Sequence, residues 1–474
     1  MGASDPADHI KAATGAATAP AQALGLPHPA AVPQSGAMPL RPPFAAALRF
    51  WVKLGFINFG GPAGQIAIMH RELVDEKRWV TESQFLRALN FCMILPGPEA
   101  QQLAVYIGWR LHGLLGGFVA GAFFVIPSIF VLMLLSWLAA AHADVPAIRG
   151  LLYGIQAVVI AIVVDSVLRV GRRTLKHPIL IGFALAAFVA LYFLGIAFPW
   201  VIVTAALAGL VLQRWFPRVF RPSGHGGEQG GGEHADVGEE TIDLADHAPP
   251  TLGRNVRMVL SFLVLWLIPF GLLALWRGFD DVLTQEAWFF TKAAFITFGG
   301  AYAVLSYVAD VVVNQFGWLS AGEMVQGLGL AESTPGPLIM VTQYVGFLAA
   351  YHHATGLSPV LAGIIGALIT TYATFLPCFM FVFLGAPYIE RLSGNRRLQA
   401  ALVGVTAAVV GVIANLAVFF TSHVLIVARD GLDWFSFIVA LASFAVLRLT
   451  KVPIFWLVPV GAVLGTVWTL LRSS

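Results

Sequence analysis

Charge is scarce in this chain: 28 Lys and Arg and 25 Asp and Glu in 474 residues, 11% in all. Soluble domains carry about a quarter, so a water-facing globule is excluded. The formal net charge is only +3, which gives no electrostatic footprint for nucleic acid. There are two cysteines, Cys92 and Cys378, both within apolar runs; they read as small packing residues, with no disulfide and no metal site expected. No Gly-Lys dipeptide occurs, so a Walker A loop is absent, and neither His-Glu-x-x-His nor Gly-x-Ser-x-Gly is present. Those absences remove nucleotide-driven transport of that type and weaken any membrane-hydrolase reading. Period-2 alternation in ten-residue segments is missing too, which argues against a transmembrane β-barrel. No cofactor is expected.

Hydrophobic residues make up 58% of the chain, and its mean hydropathy is +0.80. Apolar stretches long enough to cross a hydrocarbon core of about 30 Å recur near 113–140, 150–168, 178–198, 256–276, 357–386, 398–420 and 452–471. The fold class expected is therefore an all-α integral membrane protein. Two stretches stand apart. Residues 1–43 are rich in Ala, Pro and Gly and read as a disordered tail without a signal-peptide core. Residues 215–255 hold Gly-rich and acidic segments with His225, His234 and His247, and read as a flexible cytoplasmic linker.

What the chain does have is an internal repeat. Phe56-Ile57-Asn58-Phe59-Gly60-Gly61 returns as Phe295-Ile296-Thr297-Phe298-Gly299-Gly300, an offset of 239. In the same ungapped frame Lys53 returns as Lys292, Trp79 as Trp318, and Pro96-Gly97-Pro98 as Pro335-Gly336-Pro337. A short insertion near 354–358 changes the offset to 250, after which Pro127 aligns with Pro377, Gly154 with Gly404 and Asp165 with Asn415. The repeats are expected over 44–214 and 283–471, with a connecting transmembrane helix at 256–282.

Positive charge is unequal between equivalent loops. His70-Arg71 and Lys77-Arg78, and the group Arg169, Arg172, Arg173 and Lys176, have no basic counterparts at 310–317 and 421–427. Conversely, Arg391, Arg396 and Arg397 match a stretch at 141–147 that has none. Basic loops stay cytoplasmic, so the repeats are expected to be inverted, a transporter design with its site at the midplane. The segments flanking Gly60-Gly61 and Pro96-Gly97-Pro98 are too short to cross, and Gly and Pro end helices. Each motif is predicted to join two half-helices, whose free N–H groups and positive dipole ends make an anion site; Pro62, Pro98 and Pro337 suit first-turn positions.

The substrate-binding candidates are Asn58, Gly60, Gly61, Pro96, Gly97, Pro98, Thr297, Gly299, Gly300, Pro335, Gly336 and Pro337, with Lys292 and Arg87 for charge and Lys53 and Arg110 behind them. Intramembrane charges are expensive and so are functional candidates. Glu99, Glu332 and Asp165 are candidates for proton coupling, and a structural ion pair with an Arg is an equal account of Asp165.

Asn58-Phe59-Gly60-Gly61-Pro62, the Trp79-Val80-Thr81 turn and Leu95-Pro96-Gly97-Pro98, with their copies, resemble the chromate ion transporter family in its long, two-domain form, from residue 44 to 471. The resemblance implies a secondary transporter exporting chromate, or sulfate as a similar oxyanion, across the bacterial inner (plasma) membrane, conferring chromate resistance, with oppositely oriented halves. The implied partners are that oxyanion and the lipid bilayer, with a homodimer as an open option; an anion channel is the alternative activity.

Overall fold

The computed structural model describes residues 42–220, 251–298, 300–389, 395–427, 431–450 and 452–473. The N-terminal tail, most of the linker with its three histidines, Gly299 and Arg391 lie outside the described residues.

The chain enters through α1 (Phe44–Ile57), which stops at Asn58. Gly60, at φ +90°, leads into α2 (Gly61–His70), with Pro62 in its first turn and a π turn, Arg71–Glu76, at its end. Thr81 then caps α3 (Glu82–Cys92) in a reciprocal capping box with Gln84. After Pro98, which stands at the N-cap rather than inside the first turn, comes α4 (Glu99–Ala141). Forty-three residues as one helix would run to about 65 Å, twice the hydrocarbon thickness, and the backbone breaks at His112–Gly113 with non-helical dihedrals. α5 (Pro146–Thr174), α6 (Pro178–Tyr192) and α7 (Phe198–Leu212) complete this half.

α8 (Leu252–Arg277) is almost entirely exposed, with Phe262, Phe270 and Leu273 its buried residues. It starts inside the stretch assigned to the linker and lies on the outer surface as the connection. Then the pattern repeats. α9 (Val282–Phe295), α10 (Ala301–Ala309) and a π turn, Asp310–Gln315, precede α11 (Ala321–Ser333), which Ser320 and Glu323 cap as Thr81 and Gln84 cap α3. A short 3-10 turn, Leu338–Met340, leads into α12 (Val341–His353) and α13 (Pro359–Gly385). The loop between them occupies the place of the His112–Gly113 kink, so the sequence insertion opens a break that α4 also has. α14 (Arg396–Leu425), a pair of two-residue strands at 426–427 and 431–432, α15 (Trp434–Leu449) and α16 (Ile454–Ser473) finish the chain.

Among the described residues, α4, α5, α8, α13, α14 and α16 are long and apolar enough to cross a membrane, and α6, α7 and α15 are shorter apolar helices. The all-α membrane expectation holds. The stretch read as one segment at 178–198 is α6 followed by the start of α7, and α15 was absent from the predicted spans.

The repeated Trp explains itself here. Trp79 meets Phe50 edge-on at 5.6 Å and 83°, and Trp318 meets the equivalent Phe289 at 6.3 Å and 82°. These are packing pairs. The halves also exchange partners: α5 packs on α15 and α16, while α14 packs on α6 and α7. Backbone contact makes both packings close. A methyl on Gly154 would overlap the Gly461 carbonyl, and one on Gly411 would overlap that of Ala184. Close approach through small residues is how membrane helices associate when hydrophobic burial drives nothing. Gly154→Val is accordingly expected to force α5 off α16 and to lower stability by about 1–3 kcal/mol, read as a lower melting temperature of the detergent-extracted protein.

Candidate functional site

The interrupted helices converge. At each Phe-Gly-Gly motif the chain makes the same tight turn: Phe59 N–H donates to Ile57 O at 2.9 Å, and Phe298 N–H to Ile296 O at 2.9 Å. Gly97 and Gly336 both hold positive φ, +127° and +118°, a region that favours glycine. Each then reaches into the other half. Gly97 N–H donates to Thr297 O at 2.8 Å, and Gly336 N–H donates to Asn58 O at 3.3 Å. Thr297 is the repeat of Asn58 and Gly336 the repeat of Gly97, so the two bonds are one contact made twice.

Side chains lock this crossing. Gln65 Nε2 donates to Asn58 O at 2.9 Å and to Gly336 O at 2.6 Å. Asn58 Nδ2 donates to Phe124 O at 3.1 Å, one turn before Ser128 on α4. Gln102 Nε2 donates to Pro96 O at 2.7 Å. The glycines face residues that follow the helix prolines: a methyl on Gly97 would stand 2.7 Å from Gln102 Nε2 and 2.9 Å from Cys378 Sγ, and one on Gly336 2.6 Å from Ser128 Oγ. Ser128 and Cys378 follow the aligned Pro127 and Pro377 and are themselves repeat partners.

The region is buried yet not satisfied internally. Asn58, Gln65, Gln101 and Gln102 have no exposed surface, but Asn58 Oδ1, Gln65 Oε1, Gln102 Oε1, Ser128 Oγ and both amide atoms of Gln101 lack protein partners. A buried amide left alone costs about 1–3 kcal/mol. Such a cluster, with Gln65, Gln101 and Gln102 near the starts of α2 and α4, can be satisfied by water or by another polar occupant.

The acidic candidates gather at the start of α10. A methyl on Gly300 would be 4.0 Å from Glu99 Oε1, and the Tyr302 hydroxyl donates to Glu332. Glu332 is buried. Asp165 is instead held by Arg169 Nη2 at 2.7 Å and Arg448 Nε at 3.2 Å, so the ion-pair account describes its surroundings.

The basic candidates are not in the buried cluster. Arg87 is exposed and turns back on Ser83 of its own helix. Lys292 is exposed, its Nζ 5.6 Å from the Trp288 ring centroid, a snorkelling arrangement. Lys53 pairs with Glu72 at 2.5 Å, and Lys77 shares that carboxylate at 3.2 Å. Arg110 is half-buried on α4. Gly61 opens α2, Pro335 lies in the turn that follows α11, and Pro337 caps the 3-10 turn.

Sequence reasoning missed Gln65, Gln101, Gln102, Ser128, Tyr302 and Arg448. The available signal was Gln101-Gln102, two amides directly behind Pro-Gly-Pro-Glu-Ala in an apolar helix, where the second repeat has Met340-Val341.

The profile described as "Chromate transporter" matches residues 45–210 and 284–466. The chain belongs to the chromate transporter family. It is 33% identical over 367 residues to a "Chromate transport protein" of Pseudomonas aeruginosa, covering 77% of each chain. It is 28% identical over 370 residues to a "Probable chromate transport protein" of Synechococcus elongatus, covering 78% of this chain and 82% of that one. A "Chromate transport protein" of Cupriavidus metallidurans is 27% identical over 373 residues, 78% of this chain and 80% of the relative. No solved structure matches. Family and apolar helices together make this member a multi-pass protein of the bacterial plasma membrane, in a family of transporters rather than an enzyme class.

Gln65 is the keystone of the crossing. Gln65→Leu removes both of its bonds and leaves the Gly336 carbonyl without its side-chain donor. Stability is expected to fall by about 1–3 kcal/mol, seen in thermal unfolding, whereas Arg87→Ala, on the surface, should melt as the parent does.

Proposed function

We propose that this protein is a secondary transporter that exports chromate, or a related tetrahedral oxyanion such as sulfate, by alternating access between two inverted repeats, and so confers chromate resistance. The observation that carries this reading is the crossing itself: two backbone bonds exchanged between the halves beside a buried set of unpartnered amides and hydroxyls. A dianion leaving water needs fixed donors in place of its hydration shell. The starts of α2, α4, α10 and the 3-10 turn offer N–H groups with the positive ends of helix dipoles, and the free Gln101 amide offers two further donors or acceptors. The names of the similar chromate transport proteins give the oxyanion its identity.

In this reading the substrate neighbours Asn58, Gly60, Gly61, Pro96, Gly97, Pro98, Thr297, Gly300, Pro335, Gly336 and Pro337, and Gly299 remains part of the motif. Charge compensation comes from helix ends, with Arg169 and Arg448 on the route toward the basic end of α5, rather than from Lys53, Lys292 or Arg87. Glu99 and Glu332, near the start of α10, compete with an anion for that positive end and are the coupling acids.

The test is chromate accumulation in cells and uptake by proteoliposomes, with sulfate as competitor. Asn58→Ala and Gln101→Leu are expected to cut saturable chromate movement by about tenfold or more, the factor given by ~1.4 kcal/mol of lost interaction. Lys292→Ala should retain it. Normal rates in both site variants would place substrate elsewhere. Inversion has its own measurement. Single cysteines at 172–176 and 396–397 should both be shielded from an impermeant thiol reagent added outside, while one at 142–145 reacts. The native Cys92 and Cys378 are buried, which keeps the background low.

A further inference from the structure

Glu286 on α9 takes no part in the crossing, and no acid stands at the equivalent place in the first half, Ala47. It has no exposed surface, and neither carboxyl oxygen has a protein partner. The side chain lies where α12 and α13 meet. A methyl on Gly366 would stand 2.9 Å from Glu286 Oε2, and it would also overlap the Gly346 carbonyl. Gly346 and Gly366, with the small Ala350 and Thr370 beside them, thus leave room for one carboxyl group, with the Gly346 carbonyl oxygen near the same point.

The charged and titratable groups on the surrounding elements are engaged or remote. Asp281, at the start of α9, pairs with Arg277 of α8 at 2.8 Å. Lys292 lies on the outer surface against Trp288. On α12, His353 faces Trp318 O at 3.1 Å and His352 lies 4.0 Å from Glu323, while the Tyr344 hydroxyl reaches Gln326 at 3.5 Å. α13 carries no Lys, Arg, Asp, Glu or His, and its Tyr372 donates to Leu265 O. No cation answers Glu286 among the described residues.

A buried ionised carboxylate without a counter-ion is among the most expensive groups a protein can hold. A neutral acid costs far less and can turn its O–H toward a carbonyl. We propose that Glu286 is a proton-binding site, occupied when α9 is packed against α12 and α13 and vacated only when they part and admit water. α9 leads to Thr297 and the second Phe-Gly-Gly motif, and α12 follows the second Pro-Gly-Pro. The proton therefore holds together the two arms that carry half of the crossing. Its consequence for transport rests on the function proposed above; the proton site itself does not.

The experiment compares the full-length protein with Glu286→Gln, the amide that copies the neutral acid. Wild-type chromate transport is expected to fall severalfold toward alkaline pH, and Glu286→Gln to lose that fall while melting as the parent does. An unchanged alkaline fall in Glu286→Gln would overturn the proposal and leave the effect to Glu99 or Glu332. Should Glu286→Gln not fold, Glu286→Asp is expected to move the alkaline limb, and an unmoved limb overturns the proposal equally. If the protein moves no chromate at all, dicyclohexylcarbodiimide gives the decision. The acid proton passes to a carbodiimide nitrogen, the carboxylate oxygen bonds to the central carbon, and an oxygen-to-nitrogen acyl shift leaves a stable N-acylurea with no atom lost. That adduct on the Glu286 peptide, found by mass spectrometry at acid pH, supports the site; its absence overturns it.

Discussion

A polypeptide interrupted inside a bilayer has to satisfy its freed backbone groups within the protein, because lipid offers no hydrogen bonds. Here that constraint is met by exchange. Gly97 and Gly336 each give an N–H to the carbonyl that precedes the opposite Phe-Gly-Gly motif. Neither half completes its own break. Gln65 then ties Asn58 O and Gly336 O together, so one side of the exchange is reinforced by a single amide. The positive φ of both glycines, the prolines beside them and the small residues at 128 and 378 all follow from bringing backbones this close.

The site is unequal where the scaffold is nearly symmetric. Paired turns, paired caps and paired Phe–Trp contacts follow the repeat frame closely. The amides Gln65, Gln101 and Gln102 belong to one half only, and Glu332 to the other. The repeated frame meets itself at the exchanged bonds, and the polar groups on it differ between the halves. The polar groups brought to the crossing therefore differ, amides with Glu99 from the first half and Glu332 from the second.

Much of this was legible in the sequence because glycine and proline act through the backbone. Gly60-Gly61 and Pro96-Gly97-Pro98 read as breaks, and α1 to α4 are cut there. The shift from offset 239 to 250 read as an insertion, and it is the loop that replaces the kink at His112–Gly113. Side-chain direction was not legible. In a soluble helix polar residues mark the outer face, but in lipid the outward face is apolar as well, so an apolar helix carries little record of which side is buried. Lys292 and Arg87 looked central by their distance from the motifs, and both lie on the surface. Gln65 and Gln101 are buried in the crossing and carry no charge to draw notice. α15 was missed, set behind the strand pair at 426–427 and 431–432 and carrying little to distinguish it from its neighbours.

The exchanged packing of α5 on α15 and α16, and of α14 on α6 and α7, bears on how such a protein is assembled. One half made by itself would present the Gly154 face of α5 with nothing against it, and its own α6 and α7 would have no long helix to hold. Two half-length chains would each have what the other lacks, and would be driven to intertwine as they insert. Fusing them into one polypeptide makes the partner's local concentration a property of the chain. The helix α8 is then a tether moored to the half that follows it, by Arg277 on Asp281 and by Tyr372 on Leu265 O, and it delivers the second clasp to the first.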